Sequence, residues 1–443
     1  MPEQQAVRLM IKARWIIPIV PAGRVYEDCA IIVNGQNILA ILPIAEAEKS
    51  YRAEQTVTLE RHILMPGLIN AHGQTALTLL RGLACHKSQQ GWLNDAFKPA
   101  TAAFVETDFI RDSSELALAE MIKSGTSCFA DRSFYPAQTA QAARRAHLRA
   151  QIAFPIQELT SSWADDADDC INKGLALHDE YRGDDLIRIA FAPDVSGFSA
   201  DDTLKRIAVL TQELEASVQF SLHESAEAVA SSTAQQGKRP IERLHELGLL
   251  SPLSQCVHMT EADHSDIALL ASSGSHVIHC PESDLTLARG FAPVAELAKA
   301  GVNVALGTDA AADNNDLSML GELHTAALLT PAVASDPEAL SAHQALAMAT
   351  LNGAKALGID DITGSLEPGK AADIVAFELQ PLQALAGQDM AAQLVYNNRA
   401  IAASHLWVAG KALMLSGHLQ TLNQWDIAAK AQQWTANISQ HQP

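Results

Sequence analysis

Four side chains stand out by type and by position. His72 follows a short β-type run, Glu224 closes a second behind His223, His258 closes a third and Asp309 follows a fourth. Neutral imidazole and carboxylate are the usual ligands of a catalytic divalent metal, and a carboxylic acid beside such a centre can carry protons. Each residue alone says little. A histidine after a strand is more often a hydrogen-bonding group than a ligand, and Gly307-Thr308-Asp309 reads equally well as a helix N-cap. Four such positions brought to one rim would form a hydrolytic set, working either at a metal or by general acid and base.

The elements that must position them alternate along the chain. Eight β-type runs occur in order, at 63–70, 127–131, 150–155, 187–193, 218–223, 255–258, 276–280 and 302–307, separated by Ala/Leu/Glu-rich helical stretches such as 114–124 and 295–300. Eight strands alternating with helices over about 300 residues is the arithmetic of a (β/α)8 TIM barrel, although a doubly wound sheet alternates too. The polar residues favour the barrel, because C-terminal strand ends all open on one mouth. The first 60 residues instead carry short strands, with a hairpin predicted at 30–33, Asn34-Gly35 and 38–42. The same texture returns at 373–377 and 406–408. The expected architecture is therefore α/β, with a barrel over 61–365 and a small β-sandwich domain assembled from 1–60 and 366–443. A terminal helix is expected at 427–434, with a frayed polar end.

Composition limits the partners. The chain has 443 residues, with 31 Lys+Arg against 51 Asp+Glu and a formal charge of −20. That balance excludes nucleic acid or an anionic membrane as the main partner. Six cysteines are scattered without a CxxC pair, which fits a reducing, cytoplasmic setting. No apolar stretch approaches the roughly 20 residues of a membrane span, and the best N-terminal apolar run is short and contains a proline.

Several segments carry a family resemblance. Met65-Pro66-Gly67-Leu68-Ile69-Asn70-Ala71-His72 with Thr78-Leu79-Leu80-Arg81-Gly82 resembles the first barrel strand of the amidohydrolase superfamily, in its triazine hydrolase and nucleoside deaminase branch. Val257-His258-Met259-Thr260, His279-Cys280-Pro281-Glu282-Ser283 with Leu285 and Leu287, Gly307-Thr308-Asp309 with Asn314-Asn315-Asp316, and 364–373 agree with it. The pattern is most like the 5-methylthioadenosine/S-adenosylhomocysteine deaminases and covers nearly the whole chain. It implies zinc as cofactor, held by an H-x-H pair, a strand 5 histidine and a strand 8 aspartate. It also implies a glutamate that shuttles protons, a strand 6 histidine that assists at the reacting oxygen and, by analogy, a homodimer.

Carried over residue by residue, His72 and Asp309 match metal ligands, Glu224 the proton shuttle and His258 the strand 6 histidine. The other two ligand positions read Gln74 and Ser221. A neutral carbonyl and a neutral hydroxyl are poor zinc ligands beside imidazole, so zinc is expected to be weak or absent. Substrate-contacting positions have changed as well. The strand 4 Pro-His reads Pro193-Asp194, and the Pro-x-Glu after Trp92-Leu93 reads Pro99-Ala100-Thr101. Asp194, Thr101 and Trp92, together with Arg132 at the end of the second run, are the candidate substrate-binding residues.

Three readings stay open. The chain could be an enzyme that has abandoned the metal and acts on a nucleoside-like or other amino-heterocyclic small molecule with Glu224, His258, Asp309 and Asp194. It could be a zinc-dependent adenosine-class deaminase whose site is rebuilt with His223, His258 or Asp194. It could be a non-catalytic relative that binds a ligand or a partner subunit. Arg81 is expected in a structural ion pair, Cys280 as a packed and inert thiol, and 314–316 as a cap on the following helix. A mouth holding Asp194, Glu224 and Asp309 is strongly acidic. It requires an entering cation, a protonated carboxylate or a positively charged ligand.

Overall fold

The computed structural model describes residues 4–82, 91–195, 199–382, 389–397 and 401–441. Two eight-stranded sheets organise them. Strands β1 (Gln5–Ile16), β2 (Tyr26–Asn34), β3 (Asn37–Pro43) and β4 (Tyr51–Pro66) come first in the chain. The barrel strands are β5 (Leu68–Gly73), β6 (Thr126–Arg132), β7 (Arg149–Ile156), β8 (Ile187–Pro193), β9 (Val218–Leu222), β10 (Ser254–His258), β11 (His276–His279) and β12 (Val304–Leu306). They pair in sequence order, every pair parallel, with helices on the connections. The ring closes between β5 and β12 through a parallel bridge of Gly73 to Asp309. The Thr308 and Asp309 amides also both donate to the His72 carbonyl at 3.0 Å.

That closure depends on a missing side chain. A Cβ on Gly307 would stand 2.8 Å from the His72 backbone, so glycine lets the last strand lie against the first. Gly67 has the same role between neighbouring strands at the other end of β5, where a Cβ would meet Ser127 Oγ at 2.2 Å. Pro66-Gly67 also divides the first predicted run. Residues 63–66 belong to β4 of the other sheet, and the barrel strand starts at Leu68 and contains His72 rather than ending before it.

The second sheet runs β16-β15-β14-β13-β4-β1-β2-β3 and is built from both ends of the chain. Its C-terminal strands are β13 (Ile374–Glu378), β14 (Ala402–Val408), β15 (Lys411–Leu415) and β16 (His418–Leu419). Alternation lets β1 and β2 bury both faces, with Leu9, Ile11, Ile31 and Val33 in one cluster and Met10, Ala30 and Ile32 in another. In the β2–β3 hairpin Asn34 pairs with Asn37, and the positive φ falls on Gly35 alone. The two-residue loop is thus Gly35-Gln36, one residue later than an Asn-Gly turn would sit.

The sheets are clasped by a buried ion pair. Arg149 at the start of β7 donates to both oxygens of Asp373, at 3.0 and 3.3 Å, and Asp373 also accepts from the Ala409 amide at 2.7 Å. The terminal helix is longer than predicted, running Gln424–His441. It docks on the helix Thr107–Ser124, where Trp434 Nε1 donates to Asp112 at 3.0 Å and Lys430 reaches Glu115, while Ile438 is buried. Apolar contact and a half-buried indole hydrogen bond carry the helix past the point where polarity suggested fraying. No helix among the described residues is long and apolar enough to cross a membrane.

Candidate active site

The mouth is assembled from the ends of β5, β9, β10 and β12 and from the loop after β11. Its backbone is turned at unusual places. His223, His258, Met259 and Asp309 all have positive φ, between 50° and 74°. Left-handed backbone costs a non-glycine residue roughly 1 to 2 kcal/mol, and such strain clusters where side chains must be aimed.

His72 is fixed from below by glutamines that fill the barrel interior. Its Nδ1 donates to Gln219 Oε1 at 2.7 Å. Gln219 Nε2 donates to Gln255 Oε1 at 2.8 Å, Gln151 donates to the same oxygen at 3.0 Å, and Gln255 donates to the Ala356 carbonyl. Holding one ring nitrogen aims the other. Nε2 faces Asp309 Oδ1 at 3.3 Å and has no hydrogen-bond partner of its own.

Asp309 gathers the remaining groups. Gln74 Nε2 donates to Oδ1 at 2.9 Å, and the amide must face this way, because its oxygen would oppose the carboxylate. Ser283 Oγ donates to Oδ2 at 2.9 Å, and Arg289 Nη1 lies 3.4 Å from the same oxygen. Burial works against the ionised form of Asp309. The contact with the His72 ring, followed by the charges of His72, His258 and Arg289, outweighs it and holds the carboxyl well below its ordinary range. Asp313 shifts the opposite way, pushed well above the usual range by burial and by the Asp309 charge. His258 Nδ1 donates to Asp284 Oδ1 at 2.9 Å, which leaves Nε2 3.8 Å from Asp309 Oδ2.

Arg289 lies among these groups with its side chain only 7% exposed. Nη2 is 3.7 Å from Glu224 Oε2, and Nη1 is 3.4 Å from both ring nitrogens of His258 and 3.7 Å from Asp284. Burial opposes its charge, but Glu224, Asp309, Asp313 and Asp284 together raise its pKa above the ordinary guanidinium value. The acidic mouth therefore receives a cation from its own chain, while burial and the Asp309 charge push the Asp313 carboxyl upward.

The other sequence candidates are placed as follows. Ser221 is half-buried on β9, on the same face as Gln219 two residues earlier. His223 is engaged elsewhere, with Nδ1 3.3 Å from Asp266, which Arg239 also binds. Asp194 is half-buried directly after β8, and its backbone amide donates to the Ile156 carbonyl. Thr101 Oγ1 is occupied by its own helix, donating to the carbonyls of Phe97 and Lys98. Arg132 is the half-buried last residue of β6. Trp92 opens the helical turn Trp92–Phe97, and its side chain lies outside the described residues. Arg81 pairs with Glu120 at 2.5 Å, and Cys280 is fully buried, with burial first among the causes that push its thiol far up. Asn314 does not cap the following helix, which Ser318 does. It binds the Thr308 carbonyl at 2.7 Å and Glu322 at 3.0 Å, and so braces the residue before Asp309. Among the described residues, no group of three or more His, Cys, Asp or Glu side chains is arranged to hold a metal ion.

A profile of the amidohydrolase family matches residues 63–413, the whole barrel and much of the C-terminal half of the second sheet. The chain belongs to the amidohydrolase family. It is 46% identical over 428 residues to a 5-methylthioadenosine/S-adenosylhomocysteine deaminase of Teredinibacter turnerae, covering 97% of each. The enzyme of the same name from Saccharophagus degradans is 46% identical over 430 residues, 97% of this chain and 96% of that one. Among solved structures, an adenosine deaminase of Xanthomonas campestris with bound zinc superposes with a TM-score of 0.96 at 38% identity, over 99% of this chain and all of that one.

Within this amidohydrolase frame, the sequence alone did not point to the groups that fix the centre. Asp284 lies in the short helix Pro281–Thr286 after β11 and Arg289 in the turn behind it, in a stretch whose family resemblance rests on residues 279–283 with Leu285 and Leu287. An arginine at the C-terminal side of a barrel strand, directly before Gly290, was the available signal. Gln219 and Gln255 occupy interior positions of β9 and β10, where three buried glutamines, counting Gln151, stand in place of apolar filling.

Proposed function

We propose that this amidohydrolase takes a nucleoside-like or other amino-heterocyclic small molecule at the mouth and acts on it by acid–base chemistry without a resident zinc ion. The observation that carries the reading is that both oxygens of Asp309 already accept hydrogen bonds, from Gln74 at Oδ1 and from Ser283 at Oδ2, with Arg289 close beside. The residues present do not fit zinc. At two of the family's four ligand positions Gln74 and Ser221 offer an amide or a hydroxyl in place of imidazole, and a dication on Asp309 would share that carboxylate with a guanidinium. At about 4 Å and an effective dielectric of 20, a dication and a unit positive charge repel by about 8 kcal/mol.

Glu224, 26% exposed at the rim, is the group that gives and takes the proton, and Arg289 Nη2 stands 3.7 Å from its Oε2. His258, aimed by Asp284, offers Nε2 to the reacting oxygen. Asp309, with both oxygens already accepting hydrogen bonds, anchors Gln74, Ser283 and Arg289. Asp194, Arg132, Thr101 and Trp92 remain the proposed contacts to the ligand. General acid–base catalysis supplies about 10² to 10⁴-fold, roughly 3 to 5 kcal/mol. Lowering the pKa of a water from 15.7 to about 7 is a change of roughly 12 kcal/mol. The substrate should therefore carry a better leaving group than the amino group of adenine, or undergo elimination or isomerisation.

A rebuilt zinc site has one observation in its favour. His72 Nε2 faces Asp309 Oδ1 at 3.3 Å and has no hydrogen-bond partner, an arrangement that leaves a place for a proton or a cation between them. The test is metal content of the protein as purified, followed by a nucleoside and amino-heterocycle panel read by absorbance and mass. Zinc-free protein whose turnover survives a chelator and is lost in Glu224→Gln is the expected result. Stoichiometric zinc overturns the metal-free reading, and tight binding without turnover overturns the enzymatic one.

A further inference from the structure

We infer that Arg289 is the resident cation of this centre: its guanidinium balances Asp309, Glu224 and Asp284 and keeps a divalent metal off the His72–Asp309 pair. The backbone is shaped to deliver it. Ala288 and Gly290 on either side both have positive φ, 52° and 123°, and the Arg289 amide donates back to the Asp284 carbonyl at 2.9 Å. This tight turn sends a long cationic side chain inward from a loop whose neighbours Leu285 and Phe291 are exposed. A non-glycine residue in the left-handed region, spent on burying a guanidinium, is costly unless the guanidinium has partners. The partners are three carboxylates within 3.4 to 3.7 Å and the His258 ring.

The charge distribution matches that of a centre built for a cation, supplied here by the chain. Arg289 spans Glu224 on one side and Asp309 on the other, so one group ties the proposed proton shuttle to the anchoring carboxylate. Its Nε is buried with no hydrogen-bond partner, and the fork is therefore held by charge and not by a completed set of hydrogen bonds. Removing the charge leaves the Asp309 carboxylate facing His72 Nε2, which has no hydrogen-bond partner, and that is the start of a metal site.

The inference rests on the proposal that the native centre holds no zinc, and the experiment separates the two. The full-length chain is purified as wild type, Arg289→Met and Arg289→Lys, freed of metal, checked for folding by thermal melting, and titrated with zinc against a chromophoric chelator. Arg289→Met should bind zinc at least about tenfold more tightly than wild type, and Arg289→Lys, which keeps the charge, should not. Equal zinc affinity in wild type and Arg289→Met overturns the inference. Wild type that emerges with stoichiometric zinc overturns the underlying proposal. A second pair of variants stands if Arg289→Met does not fold. Gln74→His/Ser221→His with Arg289 retained should hold less than about a tenth of a zinc per chain, and adding Arg289→Ser should bring it to about one. One zinc in the variant that retains Arg289 overturns the inference, as does a folded triple variant that still binds none.

Discussion

Carboxyl groups in this barrel are set apart by what surrounds each of them. Asp309 is held ionised by the donors and charges around it, whereas Asp131 at the end of β6 is pushed up to about 7 by burial, against hydrogen bonds from Thr75. One oxygen of Asp131 accepts from the Thr75 amide at 2.6 Å and the other has no partner. An acid whose folded pKa exceeds its unfolded value of about 3.9 favours folding at low pH, and that advantage is lost as the pH rises from about 4 to 7. Asp131→Asn, which keeps an acceptor for Thr75, should match wild type below pH 4 and exceed it at pH 8 by up to about 4 kcal/mol. Chemical denaturation at several pH values checks this, and parallel curves for the two proteins would sink it. At the same scale, Glu224→Gln should lower turnover by about 10² to 10⁴ without moving the melting temperature by more than a few degrees. His72, Glu224, His258 and Asp309 were legible because imidazole and carboxylate at strand ends are recognisable by type. Arg289 was not, because its importance comes from carboxylates contributed by three separate strand ends.

Strand ends depend on glycine where two backbones come too close for a side chain. Gly307 brings β12 against His72, and the two amides that follow it close the ring on one carbonyl. Gly307→Ala should cost about 3 kcal/mol, as overpacking does when the obstructing atoms are backbone. It should also disturb the centre, because the displaced strand carries Asp309. A melting curve within a degree of wild type would show that the strand can move aside. The eight barrel strands were readable from alternation with helices, and most boundaries fell within two residues. The exceptions are informative. The first run was divided by Pro66-Gly67, because β4 must leave one sheet before β5 enters the other, and the terminal helix ran on to His441 because Trp434 and Ile438 find partners on a helix more than 300 residues earlier.

Across the whole molecule, the two sheets are coupled through Arg149 and Asp373, both nearly inaccessible to solvent. Arg149→Met leaves Asp373 buried with only the Ala409 amide and should cost about 3 to 5 kcal/mol. Calorimetry would show it as a lowered melting temperature or as separation of one transition into two. A change under about 1 kcal/mol would mean that the pair merely breaks even. The surplus of acid over base, −20 in all, has two different meanings in this structure. On the surface it solvates the protein. In the mouth it is met by the Arg289 guanidinium, which stands 3.4 to 3.7 Å from Asp309, Asp284 and Glu224.

The sequence by itself determined the family, the alternation that makes a barrel, and the presence of Gln74 and Ser221 at two positions where the resemblance implies histidine. Each of these is carried by residue identity and local spacing, which survive without coordinates. The tertiary structure alone decided which groups these side chains meet. The Gln74 amide turns its N–H to Asp309, His223 is drawn away to Asp266 and Arg239, and Arg289 reaches the centre from a loop after β11. Charges that meet only when β5, β9, β10, β11 and β12 close around one mouth leave no local mark in the chain. Their pairing comes from barrel closure, in which distance through space replaces distance along the sequence.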